Sequence, residues 1–278
     1  MKWLKNIIVS ILILVLTSLI SLLAISLNLK SILVNGIIKE TVKTQVQLKP
    51  HQEENNIITE ETIKQVTDDE QIQELLNTKE IQDLMYKYLD ITIDGLIDEE
   101  AINEIEIEKD ILEYLKENKS EIEKVVGQEI EEDMIKQTEK QMETKDITKS
   151  YKQSINNARM RMTTTEKSVL KGYKTLVSIK LKIIVIIFII IIAIILAIIQ
   201  KSLEKWLKNI GNSSIMSGIL IIVMSITVNL VVNKIANLNS FQTTNLLFTG
   251  IMILIIGLLF LIGSKIVKNI KEAKNAVS

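Results

Sequence analysis

Seventeen consecutive positions, 183–199, carry no polar side chain, and the run is bounded by Lys182 on one side and Gln200 and Lys201 on the other. A helix of about 20 apolar residues crosses the roughly 30 Å of hydrocarbon in a bilayer. Terminal lysines reach the water by extending along the helix, so the run predicts a membrane-spanning helix. Three further apolar stretches, 7–27, 215–232 and 246–262, are free of charge and long enough to do the same. The first has Lys2 and Lys5 ahead of it and a cleavage-like Ala24-Ile25-Ser26. Its apolar core exceeds the about 7–15 residues of a signal peptide, so an uncleaved anchor is expected.

Between the first and second spans the pattern changes. Ile81, Leu84, Met85, Tyr88 and Leu89 fall at i, i+3, i+4, i+7 and i+8, an amphipathic helical stripe. Ile72, Leu75 and Leu76 give a shorter version upstream, and Ile122, Val125, Val126 and Ile130 one downstream. Capping boxes are expected at Thr67…Glu70, Ser120…Glu123 and Thr163…Glu166. Ile105-Glu106-Ile107-Glu108 alternates like a strand, but its neighbours favour helix. Residues 40–175 contain only Pro50 and three glycines, Gly95, Gly127 and Gly172. Breaks near 48–56, 94–98, 117–120 and 146–148 divide the block into four or five antiparallel helices. A single helix over 164–200 would measure about 55 Å.

The expected fold is therefore all-α: four transmembrane helices with a helical-bundle extracytoplasmic domain inserted between helices 1 and 2. The boundaries read as a cytoplasmic N-terminus 1–6, transmembrane helix 1 at 7–28, the acidic domain at 40–175 and transmembrane helix 2 at 181–200. A cytoplasmic loop 201–214, transmembrane helix 3 at 215–233, an outer loop 234–243, transmembrane helix 4 at 244–263 and a basic cytoplasmic tail 264–278 follow.

Charge sets the orientation. Lys2 and Lys5 precede the first span, Lys201, Lys205 and Lys208 lie between the second and third, and Lys265, Lys268, Lys271 and Lys274 follow the fourth, whereas only Lys234 lies between the third and fourth. Lysine and arginine in short loops stay cytoplasmic, so both termini face the cytoplasm and 40–175 faces outward. That block holds 32 acidic and 19 basic residues, net −13, and the remainder 2 acidic and 14 basic, net +12. The basic face suits anionic lipid headgroups. An acidic exported domain has the wrong sign for nucleic acid. The chain has no cysteine, which excludes disulfides and thiol chemistry. Its 31 lysines to two arginines, with abundant Ile and Asn, suggest AT-rich codons and a low-GC bacterium.

The most specific motif is Asp90-Ile-Thr-Ile-Asp94-Gly95-Leu-Ile97-Asp98-Glu99-Glu100-Ala101. It resembles an EF-hand calcium loop over twelve residues. That resemblance implies Ca²⁺ ligation by Asp90, Thr92, Asp94 and Asp98, with Glu100 one place before the usual bidentate glutamate, a place taken by Ala101. The plainer and preferred interpretation is an Asp-Gly turn joining two helices, with Asp98–Glu100 favouring the second helix's N-terminus.

Lys2-Trp3-Leu4-Lys5-Asn6-Ile7 recurs as Lys205-Trp206-Leu207-Lys208-Asn209-Ile210. Both copies precede a span on the basic side. Lys2, Trp3, Lys5, Lys205, Trp206 and Lys208 are therefore candidate interfacial anchors; a duplication of two-helix halves is the less favoured explanation. Small and polar residues form stripes on the spans: Ser10, Thr17, Ser21 and Ala24 on the first, Ser214, Gly218, Ser225 and Asn229 on the third, and Gly250, Gly257 and Ser264 at every seventh position on the fourth. Such stripes favour helix packing in lipid. No charged residue interrupts a span, which argues against an ion or proton pathway.

Catalytic patterns are absent. His51 is the single histidine, too few for a zinc site, and no nucleophile elbow, phosphate-binding loop or dinucleotide turn occurs. The expected function is non-enzymatic: the acidic ectodomain binds or scaffolds another envelope or membrane protein, while the spans anchor or oligomerise the chain. Alternatives are a sensor of an extracytoplasmic ligand such as Ca²⁺ acting through a separate partner, and an accessory subunit of a transporter. The helical domain between two spans resembles the layout of bacterial chemoreceptors and sensor kinases, without their cytoplasmic signalling part. The whole plan also resembles uncharacterised multipass membrane proteins of low-GC Gram-positive bacteria, a likeness of layout that implies no activity.

Overall fold

A computed structural model describes residues 2–34, 78–104, 106–126, 129–144, 146–236 and 243–277. Among these the chain is helical, with no strand. Ten α-helices follow in order: α1 (Lys2–Leu33), α2 (Lys79–Ile97), α3 (Ile107–Glu117), α4 (Lys119–Val126), α5 (Glu132–Thr144), α6 (Ile147–Arg161), α7 (Thr164–Val177), α8 (Ile179–Gln200), α9 (Leu203–Ala236) and α10 (Thr244–Val277). A short 3₁₀ turn, Glu100–Glu104, follows α2. The chain divides into two compact units, one of Met1–Glu40 with Lys174–Ser278 and one of Thr41–Tyr173.

In the first unit α1, α8, α9 and α10 are each long and apolar enough to cross a membrane, which marks the chain as a membrane protein. Three of them outrun the expected spans. Segment 201–214, expected as a loop, is helical from Leu203 onward, and 264–277, expected as a tail, continues α10. The physical reason is that nothing stops these helices. Neither segment contains proline, and lysine is a good helix former where the chain leaves the hydrocarbon.

The two longest helices are held together by a ladder with a seven-residue step. Antiparallel α9 and α10 meet at Glu204/Ser264, Gly211/Gly257, Gly218/Gly250 and Ser225/Thr243, each advance of seven on one helix matched by a retreat of seven on the other. At the two middle rungs backbone meets backbone. A methyl added at Gly218 would lie 2.8 Å from Gly250 O and Leu254 N, and one at Gly257 would lie 2.8 Å from Ile215 N and 2.9 Å from Gly211 O. The outer rungs close with hydroxyls: Ser264 Oγ donates to Glu204 O at 2.8 Å, and Ser225 Oγ and Thr243 Oγ1 lie 2.8 Å apart. Seven residues are close to two helical turns, so one face of each helix stays at the contact.

Helix α1 lies against this pair by polar pairing. Thr17 Oγ1 donates to Ile13 O at 2.9 Å and lies 3.4 Å from Ser213 O, and Ser21 Oγ and Ser217 Oγ lie 2.8 Å apart. A step of four on α1 matches a step of four in the same direction on α9, so the two run parallel. Asn28 Nδ2 reaches Thr249 Oγ1 at 3.1 Å and Asn245 Nδ2 reaches Ser31 Oγ at 2.6 Å, so α1 and α10 run antiparallel. Ala24, Ile32, Ile221 and Leu246 fill the space between the three. On its other side α1 packs Val9 and Leu16 on Ile192 and Leu196 of α8. A joint of two residues, Lys201 and Ser202, connects α8 to α9, with Lys201 in the left-handed region at φ 51°. The start of α1, the α8–α9 joint and the end of α10 thus share one end of the unit.

In the second unit Ile102, Ile107 and Ile155 are buried together, with Tyr88, Ile91, Leu96, Ile111, Ile147 and Tyr151 packed around them. Of the expected stripe on α2, Tyr88 joins this cluster. The chain folds into more and shorter helices than the expected four or five: α2 to α7 lie between 79 and 177. Nor does one helix run over 164–200. Ser178 interrupts it at ψ 140°, its hydroxyl donating to Thr175 O at 2.8 Å and accepting from Leu181 N at 3.2 Å. Serine thus ends one helix and caps the next. The expected box at Thr163…Glu166 forms: Thr163 N donates to Glu166 Oε2 at 2.7 Å and Glu166 N to Thr163 Oγ1 at 3.2 Å. The box expected at Ser120 does not, because α4 starts one residue earlier, and Glu123 Oε1 instead accepts from Ile130 N at 2.9 Å. The upstream stripe at 72–76, the box at Thr67 and the loop around Pro50 and His51 lie outside the described residues.

Replacing Gly218 or Gly257 with alanine should cost about 1–3 kcal/mol each, the usual penalty for overpacking against backbone. Gly263→Ala places its methyl 3.8 Å from Leu207 Cδ1 and should be neutral or gain up to about 1 kcal/mol from helix propensity. Thermal unfolding of the purified chain in detergent measures the difference, and equal effects at all three positions would reject backbone approach as the cause.

Candidate functional site

The segment expected to wrap a cation is helix. Asp90, Thr92 and Asp94 sit within α2, which runs unbroken through Gly95 to Ile97, and the chain turns at Asp98 and Glu99 before the 3₁₀ turn that Glu100 begins. Helix thus stands where the calcium-loop resemblance implies a loop and where an Asp94-Gly95 turn is expected, and the turn comes instead at Asp98 and Glu99. Residues two apart on a helix point about 200° away from each other, so Thr92 faces away from Asp90 and Asp94. Its hydroxyl donates to Tyr88 O at 2.6 Å and accepts from Tyr151 OH. Gly95 serves close approach instead of a turn: an added methyl would lie 2.8 Å from Ile102 Cγ1 and 3.0 Å from Ile155 Cγ2. Ile91, Ile93 and Leu96 carry the apolar face past the Asp-Gly pair, and their burial outweighs the local turn preference. Among the described residues no three carboxylates or imidazoles come together as a metal-holding group.

What the same region builds is a polar network. Asp110 Oδ2 accepts from Lys87 Nζ and from Tyr88 OH, each at 2.6 Å, and its side chain is 16% exposed. Burial works against its ionisation, but the hydrogen bonds from Lys87 and Tyr88 outweigh it and hold the carboxyl below its ordinary 3.8. Burial and the bond to Asp110 push the Tyr88 phenol far up, so it stays a donor. Tyr88 and Tyr151 meet edge to face at 6.2 Å. Nearby two helix starts cap each other. Thr148 Oγ1 accepts from Ile107 N at 2.9 Å, and Glu108 accepts from Thr148 N at 2.8 Å and from its hydroxyl. Burial opposes ionisation of Glu108 as well, but these bonds prevail and lower its pKa from the ordinary 4.5. Arg159 Nη2 donates to Glu99 Oε2 at 2.7 Å and to Asn156 Oδ1 at 2.8 Å, tying α6 to the turn after α2. The spacing of these partners, 20 to 60 residues apart, left no local signal.

Outside this network the unit is acidic. Asp98, Glu100, Glu113, Glu117, Glu129, Glu131, Glu132 and Asp133 are all exposed. An open groove of about 500 Å³ has Leu112 for its apolar floor and Glu113, Glu117 and Glu139 on its rim, where Lys116 Nζ stands 3.7 Å from Glu139 Oε1. Glu108 and Lys109 complete its lining, so four carboxylates stand there against two lysines.

The residues singled out in the spans separate into two groups. Ser21, Gly218, Ser225, Gly250 and Gly257 all lie at helix contacts, and Asn229 is half-buried on α9. Gly211, Ser217 and Thr243 join them; Gly211 escaped notice because it falls in what reads as a loop, although it continues the seven-residue step. The two anchor hexapeptides differ in environment. Trp3 is 78% exposed, with Lys5 exposed beside it, whereas Trp206 packs against the α1–α8 cluster and donates from Nε1 to Ala193 O at 2.8 Å. Lys205 and Lys208 remain exposed, and Lys2 lies in the first turn of α1. Contacts between α1 and α9 join residues 196 apart, while the hexapeptides lie seven residues further apart than that, or about 10 Å along the helix. Trp206 thus packs between helices, about two turns further along the bundle than Trp3. The chain matches no protein-family model, and neither a curated protein nor a solved structure proved similar to it.

The network sets a pH dependence. Carboxyls with lowered pKa contribute stability that is present above their ordinary values of 3.8 and 4.5 and is lost as pH falls through the lowered ones. The protection of amides in α2, α3 and α6, measured relative to their intrinsic exchange rates at each pH, should therefore be constant above about pH 5 and fall below about pH 4. Asp110→Asn should flatten this response and cost about 1–3 kcal/mol at neutral pH; an unchanged acid limb would show that Asp110 does not carry it.

Proposed function

We propose that this chain is a non-enzymatic multipass protein of a bacterial cell membrane whose acidic helical unit binds or scaffolds another envelope component through a basic surface. The carrying observation is the carboxylate-rimmed groove over Leu112 on a compact unit inserted between the first two membrane-capable helices. Both termini are cytoplasmic and residues 40–175 extracytoplasmic in this proposal. Its support is charge: Lys2, Lys5, Lys201, Lys205, Lys208, Lys265, Lys268, Lys271 and Lys274 occupy one end of the membrane unit, against Lys30, Lys174, Lys180, Lys182 and Lys234 elsewhere in its described residues. An excess of lysine of this kind marks the cytoplasmic side. Positive partners then meet an acidic outer domain, an arrangement that speeds encounter and disfavours wrong partners.

Because the chain has no cysteine, single replacements report on topology. Ser150→Cys should react with a membrane-impermeant maleimide in intact cells, and Lys271→Cys only after permeabilisation; the reverse pattern would overturn the orientation. In the same cells Glu113→Gln with Glu117→Gln and Glu139→Gln should reach the membrane at wild-type levels yet lose a crosslinked envelope partner by about tenfold or more, as expected for removing rim charges that each contribute about 0.5–1 kcal/mol. Recovery of the same partner in equal amount would exclude the groove.

A further inference from the structure

At the lysine-rich end of the membrane unit, α9 and α10 enclose an open groove of about 430 Å³. Its wall on α10 is graded. Leu258, Leu261 and Ile262 come first along the helix, and Lys265 and Lys268 follow on the same face, with Lys208 opposite on α9. From Leu258 to Lys268 is ten residues, about 15 Å of helix. We propose that this groove binds one anionic phospholipid, its phosphate between Lys208, Lys265 and Lys268 and an acyl chain along Leu258, Leu261 and Ile262.

Three observations carry the assignment. The gradient from apolar to cationic has the length and order of a phospholipid's own passage from chain to phosphate. The lining charge is positive: three lysines face one carboxylate, Glu204, whose backbone oxygen is occupied by Ser264 Oγ at 2.8 Å. Lys208 and Lys265 make no ion pair among the described residues, and Lys268 has only an exposed contact of 3.7 Å with Glu272. Finally, Leu258 and Ile262 are 44% and 54% exposed, on helices long and apolar enough to cross a membrane, so an acyl chain is the natural cover. Lysines at the hydrocarbon boundary make charge-assisted hydrogen bonds to phosphate, and basic pockets between spanning helices hold anionic headgroups. The inference rests on the membrane-spanning nature of α9 and α10 and is independent of what the helical unit binds.

The experiment is native mass spectrometry of the full-length chain in detergent, titrated with phosphatidylglycerol and with phosphatidylcholine. Wild type should retain one phosphatidylglycerol in preference to phosphatidylcholine. Lys265→Gln with Lys268→Gln should weaken that retention roughly 30-fold, two charges each contributing about fivefold, and Lys208→Gln alone about fivefold. Lys271→Gln with Lys274→Gln removes the same charge from the same helix outside the groove and should change retention less than about twofold, the screened contribution of distant exposed charge. Equal loss in this control pair, or no preference over phosphatidylcholine, would overturn the site. Stabilisation of the chain by inorganic phosphate as great as that by the lipid would overturn the acyl-chain half of the proposal.

Discussion

The approach of α9 to α10 is the constraint on which the membrane unit depends. In lipid no hydrophobic force separates helix from solvent, so association rests on close packing and hydrogen bonds. Glycine at Gly211, Gly218, Gly250 and Gly257 removes the side chain where the backbones meet, and four rungs spaced by seven keep that contact continuous over roughly 30 Å. Hydroxyls finish the ladder at both ends, and the next layer repeats the device in weaker form. Thr17, Ser21, Ser213 and Ser217 join α1 to α9 while bonding carbonyls or one another. A serine or threonine that donates to the carbonyl four residues earlier is satisfied within its own helix, so these contacts bring polar atoms together without leaving a donor in hydrocarbon.

The helical unit is assembled on a different principle. Its buried cluster centres on three isoleucines, Ile102, Ile107 and Ile155, a modest core. Order at its centre comes from short-range polar chemistry placed between elements. Glu108 and Thr148 cap each other's helices, Asp110 gathers Lys87 and Tyr88, and Glu99 holds Arg159. Each joins segments distant in sequence, so the unit gains specificity from groups that carry little transfer free energy.

The legible part of the fold was set by composition over long windows. Four apolar runs announce four helices, and the seven-residue step of Gly250, Gly257 and Ser264 announces a packing face. The partner face was legible only in part, because Gly211 lies among Lys201, Lys205 and Lys208, a charge pattern that resembles a loop. In the helical unit the strongest local signal misled. Asp94-Gly95 has the chemistry of a turn, but a glycine also fits where Ile102 and Ile155 press against a helix, and sequence spacing does not distinguish the two uses. Trp206 shows the same limit: an indole beside lysine suits the bilayer surface, yet a carbonyl of α8 lies within its reach.

The joint between α8 and α9 bears on how the chain enters a bilayer. Lys201 and Ser202 alone connect them, and Trp206 on α9 already bonds Ala193 of α8. So short a link keeps the adjoining ends of the two helices together. The two helices therefore partition together as a preassembled hairpin, and Trp206 can close on Ala193 once the first turn of α9 has formed. The membrane unit is then assembled from three bodies, α1, the α8–α9 hairpin and α10, rather than from four separate helices.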